Sequence, residues 1–233
     1  MESGANATRV VAFDVNETLL DLRALDAAFE SLLGAAEFRG QWFAQMLQLS
    51  FVGGLTNNYV DFTTAQRASL QMLAARLGHD VTESEVNEVV QQMSSLPPHP
   101  EVPEALARLA EAPIQVVALT NSTQEVAEAQ LRNAGIDHAF DFAVSADSVR
   151  ALKPAAASYH LVANRCGVAI GEVLLVAAHS WDVSGALAAG ARAAFVARPG
   201  MVPSPLGPAP DIVEPDIARV VDRIIVELAQ GVT

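Results

Sequence analysis

Four short polar clusters hold the residues of this chain whose types and spacing could do chemistry. Asp14-Val-Asn16-Glu-Thr18 follows directly on an apolar run, Val10–Phe13. Thr120-Asn121-Ser122 ends a second such run beginning at Ile114, and His179-Ser-Trp181-Asp182 follows a third, Val173–Ala178. Lys153-Pro154 stands just before a helical pattern. Apolar runs this short read as strands buried on both faces of a parallel sheet, and such sheets bind ligands beyond the carboxyl ends of their strands. The Asp14 carboxylate should therefore point into that crevice. Each cluster also has a purely structural explanation. Asp14, Thr120, Ser122 or Asp182 could cap the helix that follows, and Lys153 could be a solvated surface residue. Their joint placement at one edge of one sheet favours a functional reading.

The intervening segments must position these groups. From about Leu22 to Leu96 there is almost no strand signal, while Ala24–Leu33, Gly40–Phe51, Thr63–Leu77 and Thr82–Met93 carry apolar residues at helical spacing. Leu96-Pro-Pro-His-Pro100 closes this stretch, because prolines so dense stop helices and stiffen a linker. Beyond it, helices are expected at Pro103–Ala112, Thr123–Ala134, Ala155–Cys166, Val183–Ala189 and Pro215–Leu228. Strands are expected at Ile114–Leu119, Phe140–Val144, Val173–Ala178 and Ala193–Ala197, with a Pro- and Gly-rich loop over Pro199–Pro210. Strands alternating with helices imply right-handed crossovers. The expected fold is α/β: a doubly wound, Rossmann-like parallel sheet over residues 1–21 and 97–233, with an inserted helical cap domain over 22–96.

Composition narrows the function classes. With 233 residues, 51% of them apolar and 18% charged, the chain can bury a large core. A net charge of −13 argues against nucleic acid and against an anionic membrane surface, though a local cationic pocket could still take a small anion. The single cysteine, Cys166, excludes an internal disulfide and fits a reducing compartment; it reads as a small buried hydrophobe. The first nine residues carry no apolar core of a secretion signal, and no apolar run is long enough to span a bilayer. The expectation is a cytoplasmic protein without membrane or nucleic-acid partners.

The order Asp14-x-Asn16-x-Thr18, Thr120-Asn121, Lys153-Pro154, Asp182 resembles the four motifs of the haloacid dehalogenase superfamily, and the helical insert resembles that superfamily's cap. Most members are magnesium-dependent phosphatases. They carry a second Asp two residues after the nucleophile, where this chain has Asn16, and a Gly-Asp pair after the fourth strand, where it has Ala177-Ala178. Magnesium wants carboxylate oxygens, and an amide cannot protonate a leaving alkoxide. A halide leaving group needs no proton. The pattern is therefore closer to the 2-haloacid dehalogenases, which work without a metal, and this likeness extends to Tyr159 and to Trp181-Asp182. His179 has no second His or Cys at ligand spacing, so no metal and no other cofactor is expected.

Two departures stand out. The dehalogenases have an Arg directly after a cap-helix Trp, binding halide and substrate carboxylate; here Trp42 is followed by Phe43, and Arg39, one helical turn earlier, could substitute. Their Ser and Asn after the fourth strand become Ala177 and His179. By resemblance, Asp14 attacks the halogen-bearing carbon of a short 2-haloacid and forms an aspartyl ester, Lys153 keeps Asp14 ionised, and Asp182, helped by His179, activates the water that cleaves the ester. Thr18, Thr120 and Asn121 would donate hydrogen bonds to Asp14 or the substrate, beside Asn16. Phe43, Tyr159 and Trp181 would wall the carbon–halogen bond. A metal-dependent phosphatase and a non-catalytic small-anion binder remain the alternatives, and the cap helices carry apolar surface through which a homodimer could form.

Overall fold

In the computed structural model, which describes residues 7–230, the strand that ends at Asp14 lies in the middle of the sheet. Six parallel strands run in the order β3-β2-β1-β4-β5-β6. They are β1 Val10–Phe13, β2 Gln115–Thr120, β3 Phe142–Ser145, β4 Val173–Ala177, β5 Arg192–Val196 and β6 Ile212–Glu214. Chain order reverses between β1 and β4, so the crevice of a doubly wound sheet opens beside Asp14. Val10 to Phe13 pair in register with Gln115 to Ala118 on one side and Val173 to Val176 on the other. The polar residues that follow these strands therefore emerge at one edge.

All four β1 residues are fully buried, and their alternation divides the core into two layers. Val11 and Phe13 join one apolar cluster with α5 (Val102–Leu109), α6 (Gln124–Asn133) and α9 (Ile217–Gln230). Val10 and Ala12 join the other, against α7 (Ala156–Cys166) and α8 (Ser180–Ala188). Cys166 packs, half-buried, at the margin of this second cluster, and burial pushes its thiol up.

Between β1 and α5 the described elements are all helical: α1 Asp26–Leu33, α2 Phe38–Leu55, α3 Phe62–Leu77 and α4 Glu83–Gln91, with short 3₁₀ turns before and after. Asp61 caps α3, and Thr82 with Glu85 forms a reciprocal capping box on α4. Phe29, Trp42, Phe62 and Leu70 from these helices belong to the same cluster as Val11 and Phe13, so apolar packing runs unbroken from the insert to the sheet. The proline linker returns beside its own departure point: His99 N–H donates to Leu19 O at 2.9 Å and Asp21 N–H to Pro97 O at 2.8 Å.

Two differences from the sequence reading have local causes. The helix after β4 starts at Ser180, not Val183, because polar residues fill its first turn and hide the apolar period. β6 is three residues at an exposed edge, too short for a periodic signal. Among the described residues no helix is long and apolar enough to cross a membrane. The amino-terminal stretch read for a secretion signal falls largely outside the described residues.

Candidate active site

Asp14 begins where β1 ends, and its N–H still donates to Val176 O at 3.0 Å, which pins it to the switch point. Its carboxylate is surrounded by donors. Thr18 Oγ1 donates to Oδ2 at 2.6 Å and Lys153 Nζ to Oδ1 at 2.8 Å. The Lys153 ammonium also donates to Asp182 Oδ2 at 2.7 Å and to Leu119 O at 2.9 Å, so all three of its hydrogens are used. Lys153 is only 1% exposed, a burial that an ammonium tolerates only when paired in this way. Its loop is clasped by Asn121, whose Nδ2 donates to Lys153 O at 3.1 Å and whose Oδ1 accepts from Lys153 N–H at 2.7 Å. Asp182, in the first turn of α8, is completed by the Tyr159 hydroxyl, which donates to Oδ1 at 2.6 Å. Gly185 packs under this corner: a Cβ there would stand 2.5 Å from both Pro154 Cβ and Tyr159 Oη.

These contacts fix the charges. Burial would raise the Asp14 carboxyl, but the Lys153 ammonium and the His179 hydrogen bond outweigh it and hold the group well below the usual carboxylate range. Burial likewise opposes the charge on Lys153, and the two carboxylates raise it above an ordinary lysine. Asp182 goes the other way: burial, helped by repulsion from Asp14, lifts it against Lys153. Burial and the nearby Asp182 keep the Tyr159 phenol protonated far beyond its normal range.

The remaining groups close a cavity of about 10 Å³, room for roughly one water molecule. Asp14, Asn16, Phe43, Phe62, Thr120, Asn121, Lys153, His179 and Trp181 line it. The His179 ring lies between two aromatic rings, stacked on Phe43 at 5.5 Å and on Trp181 at 5.2 Å. The Trp181 indole N–H is buried without an acceptor among the described residues. Asn16 Oδ1 accepts from Gln130 Nε2 at 2.9 Å, and Thr120 Oγ1 accepts from Ser122 N–H at 3.1 Å.

Of the residues singled out from sequence, Thr18, Tyr159 and Asp182 stand behind this lining and the others form part of it. Arg39 does neither: it binds Asp26 at 2.6 Å and Glu17 at 3.5 Å. The sequence reading did not single out Phe62, Gln130, Arg198 or Glu17. Arg198 Nη2 donates to Thr18 O at 2.6 Å and braces the turn after Asp14. Phe62 arrives from α3, far along the chain, and nothing local marks it. Glu17 could have been noticed, since it is a charged residue inside the nucleophile turn.

A magnesium ion, as the phosphatases of the superfamily use, does not fit this donor set. Asn16 is an amide tied to Gln130, and Ala177 and Ala178 offer no oxygen side chain, so the carboxylates that the phosphatase pattern adds to the nucleophile are missing. Among the described residues no three His, Cys, Asp or Glu side chains gather to hold a metal.

An open parallel sheet with a buried carboxylate held ionised at its switch point, a lysine beside it and helices over the crevice is the frame of an enzyme in which a carboxylate can serve as nucleophile. The family profile for haloacid dehalogenase-like hydrolases matches residues 8–190, and the chain belongs to that family. It is 34% identical over 192 residues to an (S)-2-haloacid dehalogenase of Xanthobacter autotrophicus, covering 82% of this chain and 75% of the relative. It is 28% identical to haloacetate dehalogenase H-2 of Moraxella sp. (strain B), over 93% of this chain and 97% of that one. The solved L-2-haloacid dehalogenase from Xanthobacter autotrophicus with chloropropionic acid covalently bound superposes with a TM-score of 0.88 at 28% identity, covering 97% of this chain and all of the other.

Proposed function

We propose that this chain hydrolyses short 2-haloacids to 2-hydroxyacids through an ester on Asp14, without a metal. The observation that carries this reading is the Asp14 carboxylate itself, held ionised by Lys153 and His179 beside the apolar rings of Phe43, Phe62 and Trp181. An apolar wall suits a carbon–halogen bond, and the cations beside it suit the substrate's carboxylate. Asp14 attacks from the side opposite the halogen, halide leaves with the bonding electrons, and configuration at the carbon inverts. Water then cleaves the ester at Cγ of Asp14. Asp182 holds Lys153 in place, Asn121 fixes the lysine's backbone, and Thr18 orients the nucleophile. The names of the relatives support the substrate class.

Oxygen tracing tests it. With enzyme in excess over 2-chloropropionate in ¹⁸O-water, the label should enter Asp14, because the product hydroxyl carries an oxygen that came from the carboxylate. Label found in the first-turnover hydroxyacid instead would rule out the ester route.

The lone Cys166 supports a reducing, cytoplasmic setting. Exposed Val52, Leu55 and Met72 on neighbouring helices α2 and α3 support a homodimer through the cap, which sizing by light scattering would register.

A further inference from the structure

His179 stands where both of its ring nitrogens meet carboxylates. Nδ1 lies 3.1 Å from Asp14 Oδ2 and Nε2 lies 2.8 Å from Glu17 Oε2. Ionised carboxylate oxygens only accept hydrogen bonds, so both contacts require a hydrogen on each nitrogen and the ring is an imidazolium. Burial opposes that charge, yet the bonds to Asp14 and Glu17 push the group up to about 9. The charged groups around the ring come from every side. Asp14 and Glu17 are at its nitrogens, Lys153 is on the other oxygen of Asp14, Asp182 lies beyond that lysine, and Arg39 from α2 faces the other oxygen of Glu17. Glu17 reaches His179 from a left-handed backbone, φ +60, which is uncommon for a residue with a side chain. Backbone strain of this kind collects at functional sites.

Asp182, by contrast, has Oδ2 on Lys153 and Oδ1 on Tyr159, and it does not line the cavity. His179 does line it, directly against the carboxylate that becomes the ester.

We propose that His179, oriented by Glu17, is the general base that hydrolyses the Asp14 ester, and that formation of the ester is what switches it on. The proposal rests on the dehalogenase reading above. While Asp14 is a carboxylate, the imidazolium is held between two anions. When Asp14 displaces halide, its charge is lost, one of the two anions holding the proton disappears, and that proton passes to solvent; with the departing halide it makes up the acid released by the overall reaction. The neutral ring now presents a lone pair at Nδ1, while Nε2–H stays on Glu17, which sets the tautomer. Water in the cavity, hydrogen-bonded to Nδ1, attacks the ester carbon Cγ, and its proton moves to Nδ1. The tetrahedral intermediate expels the 2-hydroxyacid oxygen, which takes the proton of the new Asp14 carboxyl. Carboxylate and imidazolium are both restored. Glu17 is a positioning residue in this scheme and His179 a catalytic one.

The experiment separates the two half-reactions. On mixing with 2-chloropropionate, His179→Asn should release about one halide per enzyme in a burst and then turn over about 10²- to 10⁴-fold more slowly than the wild type. Intact-mass spectrometry should find the ester trapped on Asp14. Ester cleavage at the wild-type rate, or halide release and hydrolysis slowed equally with no trapped ester, would overturn the proposal. Trapping by Asp182→Asn with normal hydrolysis in His179→Asn would assign the base to Asp182. Should His179→Asn not fold, Glu17→Gln carries the test. Removing that anion weakens the base, so the acid limb of kcat moves to lower pH by about one unit, with each unit a tenfold change in the protonation equilibrium; an unmoved limb refutes it. A wild-type enzyme that releases no halide at all defeats the dehalogenase reading instead, and the two failures are distinct.

Discussion

Replacing Lys153 by Met keeps the apolar stem but removes the ammonium that bridges Asp14 and Asp182 at 2.8 and 2.7 Å. Two buried carboxylates then face each other without that cation, and removing one partner from a buried pair costs about 3–5 kcal/mol. For a chain of this length that corresponds to a fall in Tm of about 6–20 °C. The loss should depend on pH with a definite sign. In the wild type Asp14 is depressed, so its contribution is present above the unfolded carboxyl pKa and disappears as pH falls through the folded value. Asp182 is already raised in the wild type against the pull of Lys153, and losing the ammonium raises it further, so the folded variant keeps to higher pH a proton that the unfolded chain has released. Stability therefore falls as pH rises, by up to about 1.4 kcal/mol per pH unit between the unfolded carboxyl pKa and the raised folded one. Calorimetric melts of both proteins from pH 5 to pH 8 should diverge, the variant being worst at pH 8. Halide release should drop by about 10²- to 10³-fold or more, the usual effect of removing one preorganised electrostatic partner. Parallel pH–stability curves, or activity within tenfold of wild type, would refute the bridging role of Lys153.

Gly185→Ala should lower kcat more than tenfold while the protein stays folded. The added Cβ has 2.5 Å to Pro154 and to Tyr159, and overpacking of this kind costs about 1–3 kcal/mol, here borne by the lysine loop. Wild-type circular dichroism with normal kcat in that variant would show that the corner yields freely. Trp42→Ala removes a fully buried side chain whose indole N–H donates to Gln66 O at 2.9 Å, and chemical denaturation should record a loss of about 3–5 kcal/mol. EDTA should leave halide release unchanged, because Asn16 is tied to Gln130 and Ala177 and Ala178 offer no side-chain oxygen; halide release lost with EDTA and restored by added magnesium would show that the site uses a metal after all.

The sequence by itself determined the α/β class and the order of the elements around the crevice, and it pointed to Asp14, Thr120, Lys153 and Asp182 as one cluster at the strand ends. It could do so because a buried parallel strand must be apolar for its whole length, so the polar residue that ends it is conspicuous. Asn16 and Ala177-Ala178 were equally legible, since they stand at fixed offsets from those strand ends. The tertiary structure alone decided what each side chain touches. Asn121 turns to the Lys153 backbone, Tyr159 to Asp182, and Arg39 to Glu17 and Asp26, choices set by which neighbours the packing supplies. Phe62 enters the site from a helix tens of residues away from any motif, and β6 is only three residues at an edge. The partnership of His179 with Glu17 lies furthest from what sequence could disclose. It joins residues 162 positions apart through a turn in left-handed backbone, and pairing across such a distance is fixed by the fold.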